Sequence, residues 1–223
     1  MKNNLSEKIL YGITILLVAG AVFLSLVFSP KKGILVFLFL FLLFYWQRKR
    51  WQEFFQKIKN PKTSWVIYLL TGWLGAVFLE FSLGISPFHP KPIANYLIGL
   101  GFYLPYFALW RLLINRFQFT FWEIFYLGGF GKLLFDSLIT RKLLVAASVA
   151  TNTLSSFLIF TSQAIVTLVL FGVLTTIPAL YLASQENKPH NKPLKQYLIG
   201  FAPIILATLV FILWTIILKA VFT

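Results

Sequence analysis

An all-α, polytopic transmembrane bundle is the fold class this sequence predicts, and three observations predict it. Of its 223 residues, 59% are hydrophobic and only 12% charged, against about a quarter charged in an ordinary soluble domain; the mean hydropathy is +0.82. Apolar runs approach the roughly 20 residues that cross about 30 Å of hydrocarbon, and they recur at 9–29, 33–46, 65–84, 93–114, 120–139, 143–160, 163–184 and 196–219. Twenty Lys+Arg outweigh six Asp+Glu, and such an excess belongs in loops beside anionic headgroups rather than in the hydrocarbon. A single integral membrane domain over 1–223 with seven or eight spans follows.

The first run, Ile9 to Phe28, is longer than a signal-peptide core and ends in no small-x-small cleavage pattern, so it predicts a retained helix. The second, 33–46, is short and leads into the basic segment 47–62, "QRKRWQEFFQKIKNPK", with six basic residues and one acid. Trp51, Phe54, Phe55 and Ile58 fall at i, i+3, i+4 and i+7, which lays an aromatic face into the interface and leaves Arg48, Lys49, Arg50 and Lys57 at the headgroups. The positive-inside rule makes this segment cytoplasmic, puts the N-terminus inside, and points to a plasma (inner) membrane. Anionic lipid is the partner it implies; topology accounts for the charge, so no nucleic-acid partner is expected.

Further along, Pro105 falls inside the fourth run, where it frees a backbone carbonyl and kinks the helix. Residues 143–184 contain no charge. As one helix they would reach about 63 Å, twice the bilayer core, so a fold-back near Thr161-Ser162-Gln163 is expected.

The chain also resembles itself. His89-Pro-Lys-Pro-Ile-Ala-Asn-Tyr-Leu-Ile-Gly99 matches His190-Asn-Lys-Pro-Leu-Lys-Gln-Tyr-Leu-Ile-Gly200 at seven of eleven positions. With eight spans this makes a four-plus-four repeat with halves 1–115 and 116–223. If 120–139 re-enters instead of crossing, seven spans remain and the copies form an inverted pair, as in many transporters.

The candidate site lies in Trp122–Leu138, "WEIFYLGGFGKLLFDSL". On a helix Lys132 and Asp136 stand at i, i+4 and can pair, while Glu123 faces elsewhere. Lys132 is the expensive residue: a lysine at mid-membrane costs on the order of 3 kcal/mol unless it pairs, snorkels or meets water. Gly128, Gly129 and Gly131 weaken the helix by about 1 kcal/mol each relative to alanine, and permit either close helix packing or an unwound backbone at a polar cavity. Glu80 in the third span is expected level with Lys132 and Asp136, and Arg111 level with Glu123, which makes two charged layers. These five residues are the candidate substrate-binding set, with Gly128, Gly129, Gly131 and Pro105 as hinge or packing positions.

Residue counts exclude much chemistry. No cysteine is present, which removes disulfides, thiolate catalysis and iron-sulfur ligation. Asp136 is the only aspartate, so paired-Asp proteolysis and Asp-rich metal-diphosphate sites are absent. "GGFGK" lacks the spacing and the following Ser/Thr of a phosphate loop. His89 and His190 read as solvated loop residues. No catalytic residue, metal site or cofactor is expected. The predicted function is permeation or transport of a small polar solute or ion. The alternatives are an accessory or assembly subunit that pairs with another membrane protein or with itself, and a lipid-modifying enzyme using Glu80 and Glu123 as acid and base.

Overall fold

The computed structural model describes residues 3–28, 33–58, 60–82, 92–117, 119–138, 154–181 and 194–222. Among these the chain is helical and contains no strand: α1 (Asn3–Phe28), α2 (Gly33–Trp46), α3 (Arg48–Gln56), α4 (Pro61–Ser82), α5 (Pro92–Phe117), α6 (Phe121–Leu138), α7 (Leu154–Thr176), a 3-10 turn at Pro178–Tyr181, α8 (Leu194–Ile199) and α9 (Ala202–Phe222).

Local sequence sets where these helices begin and end. Asn60 caps α4 by accepting the Lys62 N–H at 2.9 Å, with Pro61 at the first helical position, where its missing N–H costs nothing. Thr120 and Glu123 cap α6 reciprocally: the Thr120 N–H donates to Glu123 Oε2 at 2.6 Å and the Glu123 N–H to Thr120 Oγ1 at 3.3 Å. α7 stops at Thr176, two residues before Pro178, because the residue preceding a proline is pushed out of helical geometry.

Contacts fix the helix directions. α4 and α5 run antiparallel, with Ser64 beside Arg111, Gly72 beside Phe107 and Glu80 beside Tyr103. α6 and α7 are also antiparallel: Phe125 lies against Gly172, and Gly129 against Leu168. Tyr197 meets Glu123, Gly200 meets Leu127 and Ile204 meets Gly131, so α8 and α9 run parallel to α6. Phe102 packs edge-on against Phe211, and Gly101 sits against Trp214, so α5 runs opposite to α9. Tyr45 at the end of α2 stacks near Phe121 and Trp122 at the start of α6. One end of the bundle therefore gathers the end of α2, the basic helix α3, the start of α4, the end of α5 and the start of α6; we call it the α3 end.

Two stretches, Pro61–Glu80 and Leu194–Leu218, are long and apolar enough to cross a membrane, and Gly12–Phe23, Ile34–Trp46 and Phe160–Thr176 are apolar but shorter. The core is aromatic and aliphatic, with Tyr68, Tyr106, Phe107, Trp110, Phe119 and Phe125 fully enclosed. Outward faces are apolar too: on α9, Leu209, Leu213, Ile216 and Ile217 are all exposed, which suits hydrocarbon rather than water.

One expectation needs correction. There is no fold-back at Thr161-Ser162-Gln163, because α7 runs unbroken through these residues. They include neither Gly nor Pro, and the Thr161 hydroxyl is satisfied by donating to the Phe157 carbonyl at 2.9 Å, so nothing there competes with the helix. At about 35 Å, α7 is the length of a single pass. The last run holds a stretch long enough to cross, Leu194–Leu218, with a local break at Gly200-Phe201, where Pro203 follows and a Gly200 Cβ would press within 2.6 Å of Leu127. Of the two repeat copies, Tyr96-Leu97-Ile98-Gly99 lies within α5, and Tyr197-Leu198-Ile199-Gly200 spans the end of α8. Their helices α5 and α9 run in opposite directions. His89, His190 and most of the run 143–160 lie outside the described residues.

Candidate functional site

The segment that carries the sequence anomalies is a helix, α6, and its glycines face partners. A Cβ on Gly128 would overlap the Thr175 side chain, one on Gly129 would come within 2.5 Å of the Leu168 carbonyl oxygen, and one on Gly172 of α7 within 2.8 Å of the Phe125 carbonyl. Three glycines thus let two backbones meet, as small residues do between membrane helices. Gly131 differs, since a Cβ there would make ordinary contact at 3.6 Å with Ile204 and Phe201.

Lys132 and Asp136 form an i, i+4 ion pair, and their side chains are 18% and 14% exposed. The ammonium also stands 4.9 Å from the ring centre of Phe171 on α7 and 5.1 Å from that of Phe135, so two aromatic faces add to its stabilisation. Glu123 is committed to helix geometry and packing: besides its cap it accepts the Tyr197 hydroxyl at 2.7 Å, joining α6 to α8.

The remaining candidates sit on a different seam. Glu80, in the last turn of α4, accepts the Tyr103 hydroxyl at 2.7 Å. Arg111 on α5 is 8% exposed. Its Nη2 donates to Ser64 Oγ at 3.0 Å, and its guanidinium lies 5.3 Å from the Tyr68 ring centre and 6.0 Å from that of Trp65. Arg111 does not pair with Glu123, as equal depth had implied, because its near neighbours belong to α4. Nε and Nη1 of Arg111, the Tyr68 hydroxyl and Nε1 of Trp110 are buried with no hydrogen-bond partner among the described residues. Each such buried donor costs about 1–3 kcal/mol, and a charged one more.

The structure therefore brings Lys132 and Asp136 together and leaves Glu80, Arg111 and Glu123 with separate partners. Glu80 and Ser64 are about 24 Å apart along α4, so Glu80 lies toward the far end and Glu123 at the α3 end. No Glu80/Glu123 acid/base pair forms. Pro105 lies inside α5, which continues through it, and its position removes the helical donor to the Gly101 carbonyl. Among the described residues no group of three or more His, Asp or Glu gathers as metal ligands would.

Sequence reasoning missed the side chains around these charges. Tyr103, Tyr106, Trp110 and Arg111 fall at i, i+3, i+7 and i+8 on α5, and all are buried. With Tyr68, the Tyr106–Thr175 hydroxyl pair at 2.7 Å, and Glu80, they make a row of polar groups between α4, α5 and α7. Phe107, fully buried against Gly72, interrupts the row between the Arg111 and Glu80 levels. The one available signal was a hydroxyl-bearing aromatic stripe in helical phase with Arg111. No protein family, no curated protein and no solved structure matches this chain.

Proposed function

We propose that the chain is a multi-pass membrane protein, with α1, α2, α4, α5, α6, α7 and α9 as seven passes, that moves a small polar solute or ion along the α4/α5/α7 seam. The observation that supports this reading is the buried polar row. Arg111, Tyr68, Tyr106, Thr175, Tyr103 and Glu80 stand inside an apolar bundle, where ionisable groups are expensive and mark polar pathways. Phe107 is the barrier between the two sections, and the Lys132–Asp136 pair ties α6 together rather than lining the path. The basic α3 end is cytoplasmic by the positive-inside rule.

A second reading, an assembly subunit, draws on the α6/α7 seam, whose glycines and paired charges serve packing alone. The absence of cysteine allows a direct test. Single cysteines replace Ser64, Tyr103 and, as a seam control, Leu168, and a small hydrophilic thiol reagent is applied from each side. The transport reading expects Ser64→Cys to label from the α3 side and Tyr103→Cys from the other, with Leu168→Cys silent. If Ser64→Cys and Tyr103→Cys resist labelling from both sides, the row is dry and the assembly reading replaces it.

A further inference from the structure

The guanidinium of Arg111 carries five N–H donors in a planar fork. Ser64 Oγ takes one hydrogen of Nη2. Whichever hydrogen that is, the other lies beside Nε–H or beside an Nη1–H, and both Nε and Nη1 lack an acceptor among the described residues. One complete two-donor edge is therefore open in a site 92% enclosed by protein, as its 8% exposure implies. Two-donor edges match the paired oxygens of carboxylate and phosphate groups.

The surroundings agree in sign. The Tyr68 hydroxyl, whose ring borders the guanidinium, is a further buried donor without a partner. Neither group has a carboxylate beside it among the described residues, and the acids Glu80 and Glu123 are held by Tyr103, and by Thr120 and Tyr197. Arg111 is six residues from the end of α5, and Ser64 three from the start of α4. Both face the end where Lys49, Arg50, Lys57, Lys62 and Arg116 are exposed, with Glu53 the exposed acid of α3. Such a field concentrates anions at the entrance.

We propose that Arg111, Tyr68 and Ser64 form a binding site for an anionic group, a carboxylate or phosphate, that enters from the α3 end. This rests on the polar-row reading and names the chemical class of what the row receives. Arg111 supplies the fork, Tyr68 donates to a second lone pair of one of the same oxygens or, in a phosphate, to a third oxygen, and Ser64 holds the guanidinium plane.

The test uses the full chain in nanodiscs of neutral phosphatidylcholine. Inorganic phosphate and acetate are titrated calorimetrically, and retention of added phosphatidylglycerol is followed by native mass spectrometry. Saturable phosphate or acetate binding identifies a soluble anion. Selective retention of phosphatidylglycerol without either identifies a lipid headgroup. In both cases Arg111→Gln is expected to weaken binding by about tenfold or more and Arg111→Lys by several-fold, since the ammonium keeps charge but not the fork. Tyr68→Phe, which removes only a hydroxyl, is expected to weaken it about threefold to tenfold. Arg116→Gln, on the exposed end of α5, is the control for general attraction.

If no probe saturates, or Arg111→Gln and Arg116→Gln weaken binding equally while melting shows both folded, the anion site is overturned. Arg111-dependent binding with Tyr103→Cys unlabelled leaves the site standing and removes transport. A labelled row without Arg111-dependent binding does the reverse.

Discussion

Lys132 on the α6/α7 seam and Arg111 on the α4/α5 seam are both cations inside the bundle, and the chain treats them in opposite ways. Lys132 has a carboxylate one turn away and two phenyl faces over its ammonium, beside glycines that bring the helices into backbone contact. Arg111 is more deeply enclosed, at 8% exposure, yet two of its nitrogens stay without acceptors among the described residues. Interiors rarely tolerate such donors unless something else answers them. The answered cation serves packing, and the unanswered one is the basis of the anion-site proposal.

This contrast breaks or sharpens by mutation, measured as thermal melting of the purified protein in one lipid. The largest effect is expected at Lys132. Lys132→Met strands a part-buried carboxylate and costs roughly 3 kcal/mol, whereas the double replacement Lys132→Met with Asp136→Leu recovers most of it. Equal losses in single and double variants would mean the pair is no tie. Next comes Gly129→Ala, whose Cβ meets the Leu168 carbonyl oxygen at 2.5 Å, so that a backbone must move at a cost of about 2 kcal/mol.

A smaller shift of opposite sign is expected at Arg111→Met, which removes the unanswered donors and leaves stability unchanged or raised by about 1 kcal/mol. A loss as large as that at Lys132 would show Arg111 to be structural and erase the contrast between the seams. Smallest is Gly131→Ala, where the contact is ordinary at 3.6 Å; better helix propensity makes it neutral or stabilising by up to about 1 kcal/mol. A Gly131→Ala variant as damaged as Gly129→Ala would mean all three glycines of α6 are packing positions.

Part of the site was legible beforehand for a local reason. The Lys132–Asp136 pair needs only an i, i+4 spacing; the Thr120–Glu123 cap needs only a spacing of three, yet Glu123 was read as a binding residue instead. What surrounds Arg111 was not legible, because Ser64, Trp65 and Tyr68 come from a helix about 45 residues earlier in the chain, and nothing local to either segment records that α4 and α5 face each other.

The sequence by itself determined that the chain is helical, that its helices are apolar on the outside as well as the inside, and roughly where α2, α4, α5 and α6 start. Those properties follow from composition, caps and prolines, which act within a few residues. Only the tertiary structure decided that α7 is unbroken, that Gly128 and Gly129 leave no room for a Cβ while Gly131 does, and that Arg111 looks at Ser64 and Tyr68 instead of Glu123. These depend on which helix faces turn toward one another, and so on the packing of side chains far apart in the chain, which hydrophobic periodicity does not record in a sequence where nearly every face is apolar.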